Sequence, residues 1–187
     1  VEDIALRTVL DAALEAEPNV ALHRGVQVTG QDTSGLARIM LADGRSLTAR
    51  LLIGADGIHS VIRKQLFGED DVQFSNILMW RALIPAEKLE HVDLPERGNY
   101  WFGPGRTLIT YWIRPQNLYS ILASVPSGEV HRESWTESGD IDELRASFAD
   151  LEPRAQAMMD QIDTAFLTGM FYRDPIDRWT DRRVTLM

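Results

Sequence analysis

The run Leu51-Leu52-Ile53-Gly54-Ala55-Asp56-Gly57-Ile58-His59-Ser60-Val61-Ile62-Arg63 sets an apolar trio before a Gly-Ala-Asp-Gly turn, with Ser60 and Arg63 at fixed spacing beyond it. These residue types in this order suit a nucleotide. The trio reads as a buried strand, and Gly54 and Gly57 lack the Cβ that would hinder a tight turn or a close approach to a ligand. Asp56 then stands at the carboxyl end of the strand. Ligands sit at that end of open α/β sheets, and a carboxylate there can accept hydrogen bonds from ribose hydroxyls. Ser60 is placed to start and cap the next helix, and Arg63, one turn on, to pair with a phosphate or carboxylate. A buried strand entering an ordinary turn would also explain Gly-Asp-Gly, but would leave Ser60 and Arg63 as coincidences. A strand–turn–helix context decides between the two.

The segments around the run are those of an α/β unit. Leu6, Val9, Leu10, Ala13 and Leu14 recur at helical spacing, and Pro18-Asn19 marks the helix end. A short parallel strand is expected at 20–22, a hairpin pair at 25–29 and 36–41, a turn at Asp43-Gly44, and a strand over 46–53. Beyond residue 70 the texture changes. Alternating, aromatic-rich stretches at 73–85, 100–103, 107–114 and 118–125 predict antiparallel strands. Ile141, Leu144, Phe148 and Leu151 lie on one face of a helix over 140–151, and Pro153 opens another running to about Ile162. Residues 166–173 and 183–187 are the last strand candidates.

The expected fold class is therefore α/β (α+β): a partial nucleotide-binding domain over 1–70, an antiparallel-sheet domain with segregated helices over 71–175, and a return strand over 176–187. With 187 residues, 44% of them hydrophobic, the chain can bury one substantial core or two small ones. It has no cysteine, which excludes disulfides and thiolate metal sites, and His23, His59, His91 and His131 show no ligand spacing. A net charge of −9, with 19 basic residues dispersed among 28 acidic ones, argues against a nucleic-acid or anionic-membrane surface. No apolar run is long enough to span a bilayer and no signal-peptide pattern occurs, so a soluble, cytoplasmic protein is the default. No nucleophile-elbow motif is present for acyl transfer.

The run from Leu51 to Arg63 resembles the Asp-Gly motif of FAD-dependent aromatic hydroxylases, the single-component monooxygenases related to 4-hydroxybenzoate hydroxylase. Gly54, Ala55, Asp56, Gly57, Ser60 and Arg63 fall on its positions and are, by that resemblance, the cofactor-binding residues. Four further segments are similar to the salicylate hydroxylase and 3-hydroxybenzoate 6-hydroxylase branch: residues 79–85 (Met-Trp-Arg-Ala-Leu-Ile-Pro), Gly103-Pro104-Gly105-Arg106, Glu133-Ser134-Trp135, and Asp174-Pro175 followed by Trp179 and Arg183-Val184-Thr185-Leu186. For Trp80, Trp112 and Trp135 core packing is the favoured reading. The helix, short parallel strand, small meander and return to the sheet at the Asp-Gly motif also follow the family order. The family has an Arg shortly before the first helix, where this chain has Glu2 and Asp3.

The resemblance implies FAD as cofactor, NADH or NADPH as co-substrate, molecular oxygen, and an electron-rich aromatic acid or phenol hydroxylated through a flavin hydroperoxide. A homodimer is compatible with it. Several relatives carry a His and a Tyr four residues apart after the Gly-Pro-Gly-Arg turn. The matching positions here are Thr107 and Tyr111: Tyr111 can hydrogen-bond substrate, whereas Thr107 cannot act as a base at neutral pH. Arg81, on an expected central strand, holds either an aromatic carboxylate or an internal acid. Arg106 reads as an exposed turn residue. The chain has no Gly-x-Gly-x-x-Gly unit and stops before the Gly-Asp motif that follows the family's last strand. It therefore reads as an internal portion of a protein roughly twice as long, inactive alone. The alternatives are a truncated, non-catalytic binding module and a related flavoprotein epoxidase or halogenase.

Overall fold

The alanine-rich stretch before Pro18 forms helix α1 (Glu2–Ala16). The computed structural model describes residues 2–95, 97–134 and 136–187, with side chains from residue 6 onward. The readings at Trp135 and at the side chains of Glu2 and Asp3 lie outside the described residues. The chain divides into two units, Val1–Val72 with Arg173–Met187, and Gln73–Tyr172.

In the first unit α1 carries Leu6, Val9, Leu10 and Leu14 on one face as the spacing predicts, yet all four are exposed, Val9 by 67%. The strand expected at 20–22 does not form. A strand that short persists only where a neighbour supplies its ladder, and the one parallel ladder among the described residues lies elsewhere. Strands β1 (Val28–Asp32), β2 (Ala37–Leu41) and β3 (Ser46–Ala49) form an antiparallel meander. β1 begins three residues later than expected, after Gly25 at φ +66°, and its ladder opens at Val28 opposite Leu41 with an irregularity before Gly30. Asp43-Gly44 makes the expected turn, with Gly44 at φ +86°.

The single strand expected over 46–53 is instead two strands in two sheets. After β3 the chain leaves the meander, and β4 (Leu52–Gly54) pairs in parallel with β11 (Val184–Leu186). The break is fastened by the Arg183 guanidinium, which donates to the Arg50 carbonyl at 3.1 Å, and by the Leu52 amide, which donates to the Arg183 carbonyl at 2.8 Å. β10 (Thr180–Asp181) completes a small sheet of order β10-β11-β4. β4 lies at its edge, so the apolar trio is not buried: Leu51 and Ile53 are each 54% exposed. Helix α2 (Val61–Phe67) follows the Asp-Gly turn and buries Ile62.

The second unit is one antiparallel sheet of order β6-β7-β8-β5-β9, built from β5 (Gln73–Pro85), β6 (Asn99–Gly103), β7 (Arg106–Ile113), β8 (Leu118–Pro126) and β9 (Phe166–Tyr172). Along β5, Leu78, Trp80, Ala82 and Ile84 are buried and the alternate residues Met79, Arg81 and Leu83 take the other face. Helices α3 (Ile141–Ser147) and α4 (Pro153–Met159) supply Leu144, Ala155, Met158 and Met159 to the same core. Asp140 caps α3 by accepting the amides of Asp142 and Glu143. α3 ends before the expected residue 151 because Phe148 leaves helical geometry and turns into the core, 1% exposed. Trp80 is core, as expected, 1% exposed, and Gly139 passes so near that a Cβ there would lie 2.0 Å from its ring. The chain is thus mixed α/β, with antiparallel sheets and short helices.

Candidate functional site

The Asp-Gly run has the strand–turn–helix context that its motif demands. β4 ends at Gly54, residues 55–60 turn, and α2 begins at Val61. Gly57 turns the chain at φ +76° with nothing within 4 Å of where a Cβ would stand. Gly54 serves a different need: a Cβ there would lie 3.0 Å from Cβ and Cγ2 of Ile62 and 3.1 Å from Leu186 Cδ2, so its absence lets α2 lie against the sheet.

Asp56 closes the turn. Its Oδ1 accepts the Ser60 hydroxyl at 2.5 Å, and its Oδ2 accepts the backbone amides of Val61 at 2.8 Å and Ile62 at 3.2 Å. Ser60 Oγ in turn accepts the Arg63 amide at 2.9 Å, the capping bond expected from sequence. Three helix-start amides are thereby satisfied by two side chains. Burial pushes the Asp56 carboxyl upward, but the Ser60 hydroxyl and the backbone amides of the turn outweigh it and hold the group below the ordinary carboxylate value. Asp56 is therefore an anion at neutral pH.

Arg63 is 12% exposed and makes two bonds to Asp70 Oδ2, from Nε at 3.0 Å and Nη2 at 2.5 Å, plus one to the Asp174 carbonyl at 3.0 Å. Arg173, which the sequence reading placed only as a strand end, donates from Nη1 to the Asp70 carbonyl and to Oδ1, both at 2.5 Å, and from Nε to the Ile58 carbonyl at 2.6 Å. The Arg63 guanidinium, and then Arg173, hold the Asp70 carboxyl below its ordinary value against a smaller opposing effect of burial. Asp70 was missed because Glu69-Asp70-Asp71 reads as a solvated acidic run. The Asp-Pro segment directly after Arg173 was the one signal that could have drawn attention to that residue.

Gly54, Asp56, Gly57, Ile58, Ser60, Arg63 and Arg173, with Trp179, Leu186 and Met187, line a cleft of about 280 Å³. Gly54 and Leu186 are the last residues of the parallel pair β4 and β11. The cleft therefore sits at the carboxyl ends of parallel strands, the side on which open α/β sheets take ligands.

The substrate candidates lie in the second unit, on the sheet face opposite its core. Register joins Arg81 to Leu122, Leu122 to Ile109 and Ile109 to Tyr100 across four strands. Tyr111 opposes Ser120, and Thr107 opposes Ser124 and Phe102. Arg81, Tyr111 and Thr107 thus share one face with Met79, Leu83, Ile109 and Leu122. Tyr111 lies two strands and one side-chain repeat from Arg81, about 12 Å between Cα atoms. Arg106 departs from the reading as an exposed turn residue. It opens β7 with its side chain 20% exposed, donating to the Ser147 carbonyl and, at 2.7 Å, to Asp150. Among the described residues no group of His, Asp and Glu could hold a metal ion, and no helix is long and apolar enough to cross a membrane.

Fold and motif together give an α/β element with an Asp-Gly turn between a parallel strand and a helix, joined in sequence to an antiparallel-sheet unit. No family model matches the chain. Its homologues are aromatic monooxygenases of the flavin-dependent family. It is 28% identical over 169 residues to 3-amino-4-hydroxybenzoate 2-monooxygenase of Streptomyces platensis, an alignment covering 90% of this chain and 42% of the relative. It is 29% identical over 187 residues to 3-hydroxybenzoate 6-hydroxylase of Klebsiella oxytoca, covering 96% and 45%. Among solved structures it is similar to a salicylate hydroxylase substrate complex, with a TM-score of 0.78, 20% identity, and 97% and 49% of the two chains covered. Klebsiella pneumoniae HpxO complexed with FAD and uric acid matches with a TM-score of 0.67 at 23% identity, over 87% and 42% of the chains. The chain spans somewhat less than half the length of these curated relatives.

Proposed function

We propose that this chain is part of an FAD-dependent monooxygenase that hydroxylates an aromatic acid or phenol with NAD(P)H and O₂. The observation that carries the reading is the cleft at the carboxyl ends of β4 and β11, where an anionic Asp56, an open Gly57 and the guanidinium groups of Arg63 and Arg173 line one space. This donor set fits part of a dinucleotide. A carboxylate accepts ribose hydroxyls, a glycine without neighbours admits a close backbone approach, and guanidinium groups pair with phosphate. A cleft of about 280 Å³ lies at the small end of ligand sites, so it would hold only a section of FAD. Bound there, FAD would supply electron transfer from NAD(P)H and activation of O₂, one oxygen atom entering the ring and the other leaving as water.

The chain's own residues would orient the reactants. On the sheet face, Arg81 is suited to an aromatic carboxylate and Tyr111 to a ring hydroxyl, amid the apolar wall of Met79, Leu83, Ile109 and Leu122. Thr107 would hydrogen-bond without taking a proton, so deprotonation of a phenol would fall to another group or to water. Dependence on reduced nicotinamide fits a cytoplasmic setting, and a homodimer is compatible with it.

The test is purification of the natural-length gene product followed by flavin analysis and oxygen uptake with NADH or NADPH and a panel of hydroxybenzoates. Bound FAD, aromatic-stimulated uptake and a ring-hydroxylated product would support the reading. Arg81→Ala should raise KM for carboxylated substrates more than for phenols that lack a carboxylate. A product that neither retains nor takes up FAD would overturn the proposal and favour a non-catalytic module.

A further inference from the structure

Asp70 is no part of the Asp-Gly motif, yet both arginines of the cleft converge on it. Its two carboxylate oxygens are divided between them, Oδ2 to Arg63 and Oδ1 to Arg173, and its backbone carbonyl takes Arg173 as well. Gly68, at φ +89°, turns the chain out of α2 and brings Asp70 back beside Arg63, a residue of the same helix. The bridge reaches the Asp-Gly turn itself, because Arg173 Nε donates to the Ile58 carbonyl. Arg63 closes the circuit through the Asp174 carbonyl. Arg63 and Arg173 are 12% and 17% exposed, against 36% for Asp70, so the guanidinium groups are largely withdrawn from water.

A phosphate in this cleft would not find its counter-charge at the start of α2. The amides of Val61, Ile62 and Arg63 already donate to Asp56 and Ser60, and an anionic Asp56 repels a second anion there. The positive charge lining the cleft is the arginine pair. Two guanidinium groups brought together repel each other, and a shared carboxylate offsets that repulsion while leaving the three groups together a net charge of about +1. The forked contacts of a guanidinium also fix its orientation, which the point charge of a lysine would not do.

We propose that Asp70 is a positioning residue. It holds Arg63 and Arg173 side by side and ties the Asp-Gly turn to them, so that the cleft presents a pre-set cationic pair to the phosphate groups of a dinucleotide. This rests on the FAD reading of the same cleft. Asp70 touches the arginines and acts on the ligand only through them.

The test compares Asp70→Asn, Asp70→Glu and, as a neighbouring control, Glu69→Gln in the natural-length protein. Glu69 pairs with Lys64 on the same turn and does not line the cleft. Two quantities are read: FAD affinity by quenching of flavin fluorescence, and hydrogen exchange of the amides of residues 60–63 in the flavin-free protein. Asp70→Asn should weaken FAD binding by at least about tenfold, the scale of one displaced charge-assisted hydrogen bond. It should also speed exchange at 60–63 while leaving the β1–β3 meander unchanged. Asp70→Glu should recover part of both, and Glu69→Gln should match the parent. An Asp70→Asn protein that binds FAD within about twofold of the parent would overturn the proposal. So would one in which the meander loosens equally, since that marks a general loss of structure. If the parent binds no FAD, the cofactor reading fails, and the exchange data alone decide whether Asp70 sets the turn: unchanged protection at 60–63 would refute it.

Discussion

Replacing Gly54 with alanine in the natural-length protein would set a Cβ 3.0 Å from Cβ and Cγ2 of Ile62 and 3.1 Å from Cδ2 of Leu186. These separations are tighter than ordinary carbon–carbon contact, about 3.5–4.0 Å, so each neighbour would have to retreat by a few tenths of an ångström. Leu186 can answer by a change of rotamer. Ile62 cannot, because a Cβ is fixed by its own backbone and the residue is 3% exposed. Helix α2 must therefore lift from β4, which places the substitution among overpacking changes of about 1–3 kcal/mol. Gly57→Ala meets no neighbour and bears only the left-handed backbone penalty of about 1–2 kcal/mol, part of which Gly57→Asn should recover because asparagine tolerates that region. Urea midpoints followed by far-UV circular dichroism would rank the three, with an FAD titration alongside. Gly54→Ala should be least stable and bind FAD more weakly, since lifting α2 draws the Val61 and Ile62 amides away from Asp56. A Gly54→Ala protein with the parent's midpoint, or a Gly57→Asn protein as destabilised as Gly54→Ala, would refute the packing argument.

Two further outcomes follow from the same turn. Asp56→Ala should weaken flavin retention far more than Asp43→Ala, because Asp43 serves only its own turn, accepting the Arg45 amide and guanidinium; equal losses in a flavin-release assay would count against the nucleotide reading. Asp56 and Asp70 both have carboxyls held below the ordinary value. The stability they bring is thus complete above an unfolded-state pKa of about 3.9 and is lost as pH falls through their lower folded-state values. Exchange of the amides at 60–63, corrected for intrinsic rates, should show protection that declines below about pH 4, and protection that grows on acidification would have the wrong sign.

What was legible in the sequence depended on whether each segment carries its own partner. The thirteen-residue alternation of β5 specified both its strand and its two faces, because Leu78, Trp80, Ala82 and Ile84 find their core within the same unit. The parallel strand expected at 20–22 and the burial expected of Leu51 and Ile53 failed for the opposite reason: an apolar run says that a segment wants cover, not that the chain supplies it. The split of 46–53 was likewise hidden, since nothing in that run shows that Arg183, over 130 residues away, takes the Arg50 carbonyl and turns the ladder to a new partner. In the candidate site the motif positions were legible and their supports were not. Arg173 and Asp70 are linked only through tertiary hydrogen bonds, which have no period to detect.

The lone-pair arithmetic at Asp56 separates its two roles. An ionised carboxylate offers about four acceptor sites. Three are taken, by the Ser60 hydroxyl and the amides of Val61 and Ile62, which leaves about one for a ribose hydroxyl. Asparagine has one carbonyl oxygen with about two acceptor sites and an amide that only donates. In Asp56→Asn the oxygen can keep both backbone amides while the side-chain NH₂ donates to Ser60 Oγ, so the cap survives and no acceptor remains for the ligand. Asp56→Asn should therefore give up the stability that the ionised carboxylate adds at neutral pH, remain more stable than Asp56→Ala because the cap's hydrogen bonds persist, and lose about tenfold in FAD affinity. Asp56→Ala should lose both, with a capping deficit of about 1–2 kcal/mol, moderated because the group is exposed and water can replace part of it. If Asp56→Asn holds FAD as tightly as the parent, Asp56 is a cap and nothing more, and the ligand contacts of the turn must come from its backbone and from the arginines.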